Sequence, residues 1–193
     1  MEPGATNDEW IVHVAVLDRR GLLAAIAGAF AKEKISVEEA QISTWQSGLA
    51  IDVFRVTHEG PVDPSSLGAA IAHAFTSNGA DLPPPAPIEG MVDVDNLASP
   101  WHTIVSVQAR DRSGLLYRVA SALARAGVEI HQALVTTRGN IAVDTFWVTG
   151  RDGAKLDAGG ERSLREAFAG TLRRRWPGFR RHRRAEPERV TQK

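Results

Sequence analysis

Two six-residue segments carry the side chains best placed for chemistry: Asp18-Arg19-Arg20-Gly21-Leu22-Leu23 and Asp111-Arg112-Ser113-Gly114-Leu115-Leu116. Each sets a carboxylate beside a guanidinium, shortly before a glycine and a leucine pair. A glycine at such a junction lets the backbone approach another backbone or a ligand closely. A helix beginning just beyond it offers free N–H groups with partial positive charge, suited to a carboxylate or phosphate. Asp18 and Asp111 can cap that helix or accept a ligand ammonium, while Arg19 and Arg112 can meet a carboxylate. Together these groups can hold both charged ends of an amino acid. An Asp before a helix is also an ordinary cap; survival of the loop in two halves that diverge elsewhere favours a ligand.

Other constellations are weaker. The six histidines, His13, His58, His73, His102, His131 and His182, show no zinc spacing, and there are no cysteines to supply thiolates or disulfides. His131 is expected on a strand near the loop of its own repeat. Asp52 and Asp144 hold equivalent strand positions, and alternation against Ile51 and Val53 places them on an exposed sheet face. In separate repeats they make a poor general acid/base pair. The five tryptophans are scattered and read as packing or interface residues. Near the C-terminus, Arg173, Arg174, Arg175, Arg180, Arg181, Arg183 and Arg184 are interleaved with Trp176 and Phe179, a mixture suited to phosphates and bases.

The elements that must position the loops come from the repeat itself. Upstream, Val12, Val14 and Val16 align with Val105, Val107 and Ala109, every second residue, as in a strand with one buried face. Downstream, Leu22, Leu23, Ile26, Ala27 and Phe30 align with Leu115, Leu116, Val119, Ala120 and Leu123, an apolar helical stripe. Gly127 supplies a helix stop in the second copy where the first has Lys34. Strands over 35–44 and 128–137, turns at Ser47-Gly48 and Gly139-Asn140, and strands over 50–57 and 142–149 follow. Second helices are expected over 64–77 and 161–174. Met91 to Val94 offers a fourth strand to the first copy, and no fourth strand is visible in the second.

The expected fold is therefore α+β: two ferredoxin-like βαββαβ units, each with both helices on one face of an antiparallel sheet. The boundaries are 10–95, with a Pro-rich insertion at 82–87, 101–172, and a basic tail over 173–193. Open strand edges favour joining the units into one longer sheet, and allow a homodimer by the same route. Net charge is zero but unevenly spread, with 12 Lys/Arg against 19 Asp/Glu in residues 1–160 and 11 against 4 in residues 161–193. No apolar run approaches the roughly 20 residues that cross a bilayer, and the N-terminus lacks the pattern of a signal peptide. The expectation is a cytoplasmic protein without membrane contact.

The Asp-Arg-x-Gly-Leu-Leu loops, the Ala-rich helices after them and Gly127-Val128-Glu129-Ile130-His131-Gln132-Ala133 resemble ACT domains. Val92 to Ser99, Asp144 to Thr149 and Asp152 to Leu156 are similar, more narrowly, to the tandem ACT region at the end of the bacterial PII uridylyltransferases. Where many members carry Pro before the loop glycine, this chain has Arg20 and Ser113. The resemblance implies a regulatory, allosteric module that binds glutamine or another amino acid in nitrogen or amino-acid metabolism. The enzymes' catalytic signatures are missing: there is no Gly-Ser followed by paired aspartates, and no histidine is followed by Asp.

The expected function is thus amino-acid sensing without catalysis, cofactor or metal. The ligand residues are Asp111, Arg112, Ser113, Gly114, Leu115, Leu116 and His131 first, then Asp18, Arg19, Arg20, Gly21, Leu22 and Leu23. A protein partner is allowed by the sensing role. The alternatives are a separated regulatory fragment of a PII uridylyltransferase, or a polyanion-binding protein working through its arginine tail.

Overall fold

A computed structural model of the chain describes residues 1–60, 62–77 and 88–169. Strands β1 (Glu2–Pro3), β2 (Glu9–Leu17), β3 (Ser36–Thr44) and β4 (Leu49–Thr57) accompany helices α1 (Leu22–Lys32) and α2 (Pro64–Thr76) in the first unit. Strands β5 (Gly90–Asp95), β6 (Thr103–Arg110), β7 (Glu129–Arg138) and β8 (Ile141–Thr149) accompany α3 (Leu115–Ala126) and α4 (Ala158–Ala169). The eight strands form one antiparallel sheet in the order β1-β2-β4-β3-β7-β8-β6-β5. Helix α1 packs on α2 and α3, and α3 on α4, so the helices run as a row over the sheet. This is the expected α+β, ferredoxin-like arrangement.

Both units build their core from one strand parity. Along β4, Ala50, Asp52, Phe54 and Val56 are buried; along β8, Ala142, Asp144, Phe146 and Val148 are. Phe54 meets Phe30 of α1 edge to face at 5.1 Å, the geometry aromatic quadrupoles prefer. The placement of Asp52 and Asp144 on an exposed face is therefore overturned. Ile51 and Val53 look like core residues in the sequence, but Phe54 and Val56 claim the helix side and carry the aspartates in with them.

The units join through β3 and β7, whose pairs run Ala40↔Val135, Gln41↔Leu134 and Ile42↔Ala133. Gln41 and Leu134 are equivalent in the repeat, so a pseudo-twofold axis passes through that pair. Each unit's strand-to-helix loop consequently faces the other unit.

The strand expected at Met91–Val94 exists, but it does not close the first unit. β5 pairs with β6 along its length, from Gly90↔Ala109 to Asp95↔Ile104, and so supplies the fourth lane of the second unit. That is why no closing strand follows α4. In the first unit the same lane holds only the two residues of β1, paired at Glu2↔Ile11 and Pro3↔Trp10. In both units the fourth lane is thus filled from before the unit.

Helix α4 begins at Ala158, three residues earlier than expected, and its expected end at Arg174, the Pro-rich stretch 82–87 and the tail 173–193 lie outside the described residues. No helix among the described residues is long and apolar enough to cross a membrane.

Candidate ligand sites between the two units

The repeated loops start their helices alike. Gly21 and Gly114 are the N-cap residues, both left-handed with φ of 80° and 74°, a conformation glycine adopts without a Cβ clash. No side chain caps either helix, so Asp18 and Asp111 are not caps. Asp18 instead accepts a hydrogen bond from Thr44 Oγ1 at 2.9 Å, and its N–H donates to the Gly48 carbonyl. The Leu22 N–H donates to the Arg19 carbonyl and Ala25 to that of Gly21. The Leu23 and Ala24 N–H groups between them stand as first-turn donors.

The loops differ in the space beside them. A cavity of about 550 Å³ lies at the first, bounded by residues 18–24, the β3–β4 turn, Ala120 and Ala124 of α3, and residues 128–131. The cleft at the second loop measures about 20 Å³, bounded by residues 111–117, Ala27 and Phe30 of α1, and residues 35–37. The two are pseudo-symmetric. They differ in bulk: Ala24, the third residue of α1, corresponds to Tyr117 in α3, which lines the closed cleft and is 9% exposed. Phe30 of α1 also lines that cleft, where the equivalent position of α3 is Leu123.

Asp18, Arg19, Arg20, Gly21, Leu22 and Leu23 all border the open cavity. His131 borders it too; rather than serving the loop of its own unit it faces the first loop across the interface. Its Nε2 lies 2.8 Å from Thr149 Oγ1, and its ring stands 5.0 Å from that of His102. Burial, with His131 adding to it, holds His102 below its ordinary pKa. Arg20 reaches Glu129 of the second unit at 3.9 Å, and Arg19 lies 4.4 Å over the Phe75 ring. Leu22 and Leu23 are mostly buried and serve the core as well.

Asp111, Arg112, Ser113, Gly114, Leu115 and Leu116 are gathered at the closed cleft. There Arg112 is held by Glu89 at 3.1 Å, and Arg118 donates to the Ser113 carbonyl at 3.0 Å. Burial raises the Asp111 pKa and the Glu38 charge adds to it, with the Arg112 N–H offsetting part. The Arg173–Arg184 arginines lie outside the described residues. Among the described residues, no group of three or more His, Asp or Glu side chains is placed to hold a metal ion.

Sequence reasoning missed Asp52, which borders the open cavity at 0% exposure. Neither carboxyl oxygen has a partner in hydrogen-bonding geometry among the described residues. Burial pushes its pKa up to about 7; the Ser43 N–H offsets part of that and the Asp18 charge adds to it. The available signal was an aspartate at the same strand position in both copies, in phase with Phe54 and Phe146.

Residues 103–158 match the ACT domain family model. The chain is 35% identical over 167 residues to the bifunctional uridylyltransferase/uridylyl-removing enzyme of Rhodospirillum rubrum, covering 75% of this chain and 18% of that protein. It is 35% identical over 169 residues to the protein so named in Gluconobacter oxydans, covering 74% and 17%. The chain thus spans under a fifth of the length of these relatives. Among solved structures, aspartate kinase from Synechocystis aligns over 83% of this chain and 27% of that one, at 19% identity and a TM-score of 0.43.

Proposed function

We propose that this chain, whose residues 103–158 match the ACT domain family model, is a regulatory module that binds a free amino acid between its two units at the Asp18–Leu23 loop. The observation that carries this is the roughly 550 Å³ cavity at one of the two repeated loops, within the ordinary range for small-molecule sites. The internal repeat extends the ACT reading to the first unit. The α1 start and Arg20 offer positive charge for a carboxylate, and Asp18 and Asp52 offer negative charge for an ammonium. The residues at the second loop keep the chemistry without the room, so the reading places one live site in each chain.

A ligand in this cavity touches α1 of one unit and α3 and β7 of the other. Binding therefore favours one arrangement of the units over others, a coupling worth typically about 1–3 kcal/mol. The role is sensing rather than catalysis, exercised in the cytoplasm on a protein partner. The outer lanes, above all the short β1, leave an edge for a second copy. The relatives named as uridylyltransferases make glutamine the first ligand to try and nitrogen metabolism the setting. Because the chain matches under a fifth of those proteins, it also fits a regulatory segment of such an enzyme.

Thermal unfolding of the chain with each of the twenty amino acids at millimolar concentration tests the reading. At least one amino acid is expected to raise the midpoint by several degrees, as saturating a folded-state site requires. A flat response across all twenty removes the sensor reading.

A further inference from the structure

We infer that the ligand seats a primary ammonium group against Asp52, the carboxylate at the buried end of the first-loop cavity. This rests on the cavity being the ligand site and says which chemistry selects the ligand. Asp52 is fully buried, borders the cavity and has neither carboxyl oxygen satisfied within the described protein. A buried carboxylate without a partner is costly, and proteins ordinarily pair or hydrogen-bond such a group.

No cation of the described protein is engaged there. Of the charged groups facing it, Arg20 on the loop reaches across to Glu129 of β7, and Arg19 lies over Phe75. From β7, His131 is turned to Thr149; from the loop, Asp18 is held by Thr44 and adds negative charge. Helix α3 contributes only Ala120 and Ala124, and β3 contributes Ile42 and Thr44. What faces the cavity without a cation is an Asp18–Asp52 carboxylate pair, relieved only by the Thr44 hydroxyl at Asp18 and the Ser43 N–H toward Asp52. A compact ammonium with three N–H donors satisfies that pair in both charge and hydrogen bonding; a carboxylate presented to the same pair would be repelled.

A consequence follows for protons. Burial holds the free Asp52 carboxyl up to about 7, so near neutrality part of the empty protein carries a proton there. An ammonium requires the ionised form, so binding releases that proton, and affinity rises with pH until Asp52 is fully ionised in the free protein. The change between pH 6 and pH 8 is roughly tenfold. The ammonium has two possible sources: the α-ammonium of an amino acid, or the end of a diamine lacking a carboxylate.

Titration calorimetry on the full chain at pH 6 and pH 8 distinguishes them, using L-glutamine, L-lysine, N-acetyl-L-glutamine and cadaverine, with wild type and Asp52→Asn. The expected result is an amino acid bound roughly tenfold more tightly at pH 8, with proton release visible as heats that differ between buffers. Asp52→Asn should lose both the affinity and its pH dependence while keeping a cooperative unfolding transition, and the N-acetyl compound should not bind. Cadaverine binding alone upholds the ammonium and removes the amino-acid reading. Equal binding to wild type and Asp52→Asn at both pH values overturns the ammonium inference while the sensor reading stands, as does full binding of the N-acetyl compound. Silence from every probe, with a flat thermal response to all twenty amino acids, overturns both.

Discussion

Asp144→Asn is expected to stabilise the protein more at pH 8 than at pH 5, by about 2–3 kcal/mol. Asp144 sits on β8 at 1% exposure, with Oδ1 unpartnered among the described residues. Burial pushes its pKa up to about 7, against a partial offset from the Thr136 N–H, and the Asp111 charge adds to the rise. In the unfolded chain the same carboxyl titrates near its ordinary value of 3.8. Between those values the folded state holds a proton that the unfolded state has released. Stability from this group is therefore intact below about pH 4, declines as pH rises toward 7, and is level above that.

The full difference is on the order of 4 kcal/mol, each pKa unit being worth about 1.4 kcal/mol. Asp52 contributes with the same sign. Asparagine keeps the shape and removes the ionisation, so the variant should lack one share of the decline. Urea unfolding of both proteins at the two pH values checks it; an equal difference at pH 5 and pH 8 would show that Asp144 does not titrate in this window.

Ala24→Tyr is expected to abolish ligand binding, weakening it at least about a hundredfold, or about 2.8 kcal/mol, with a midpoint close to that of wild type. The substitution carries the second unit's own residue into the first, at a position equivalent by the repeat and on a helix of the same geometry. Tyr117 already demonstrates that a phenol ring at this point is compatible with the fold, and the cleft beside it retains about 20 Å³. Transplanted, the ring would occupy the space between the first loop and α3. Calorimetry against the amino acid that stabilises wild type is the check, and affinity unchanged by the tyrosine would place the ligand elsewhere.

Much of the fold is legible in the sequence because it is written twice. The alternation at Val12–Val16 and Val105–Ala109, and the helical stripes after Gly21 and Gly114, fix two strand–helix units without help from contacts. The closing strand was misplaced for a physical reason: Met91–Val94 shows its type but not its neighbour, which depends on an edge formed elsewhere in the chain. The hairpin joining β5 to β6 carries its own turn chemistry, since Asp95 Oδ1 accepts the N–H groups of Leu97 and Ala98. Reading that turn would have assigned the strand to the second unit.

The site was legible in its loops and not in its depth. Ile51 and Val53 are as apolar as the residues that face the helices, so alternation alone gave β4 the wrong inward face and put Asp52 outside. His131 was tied to its own unit because sequence proximity says nothing of an interface; the β3–β7 pairing is what turns it toward the other loop. The difference between the loops includes Ala24 against Tyr117, a change of bulk that matters only once the units are docked.

The most direct test is a crystal structure of the chain grown with the amino acid that most raises its unfolding midpoint. One ligand per chain is expected in the cavity between the Asp18–Leu23 loop and residues 128–131, its ammonium against Asp52 and its carboxylate at the start of α1. Density for the ligand beside Tyr117 in the second cleft, or only outside both, would contradict the account.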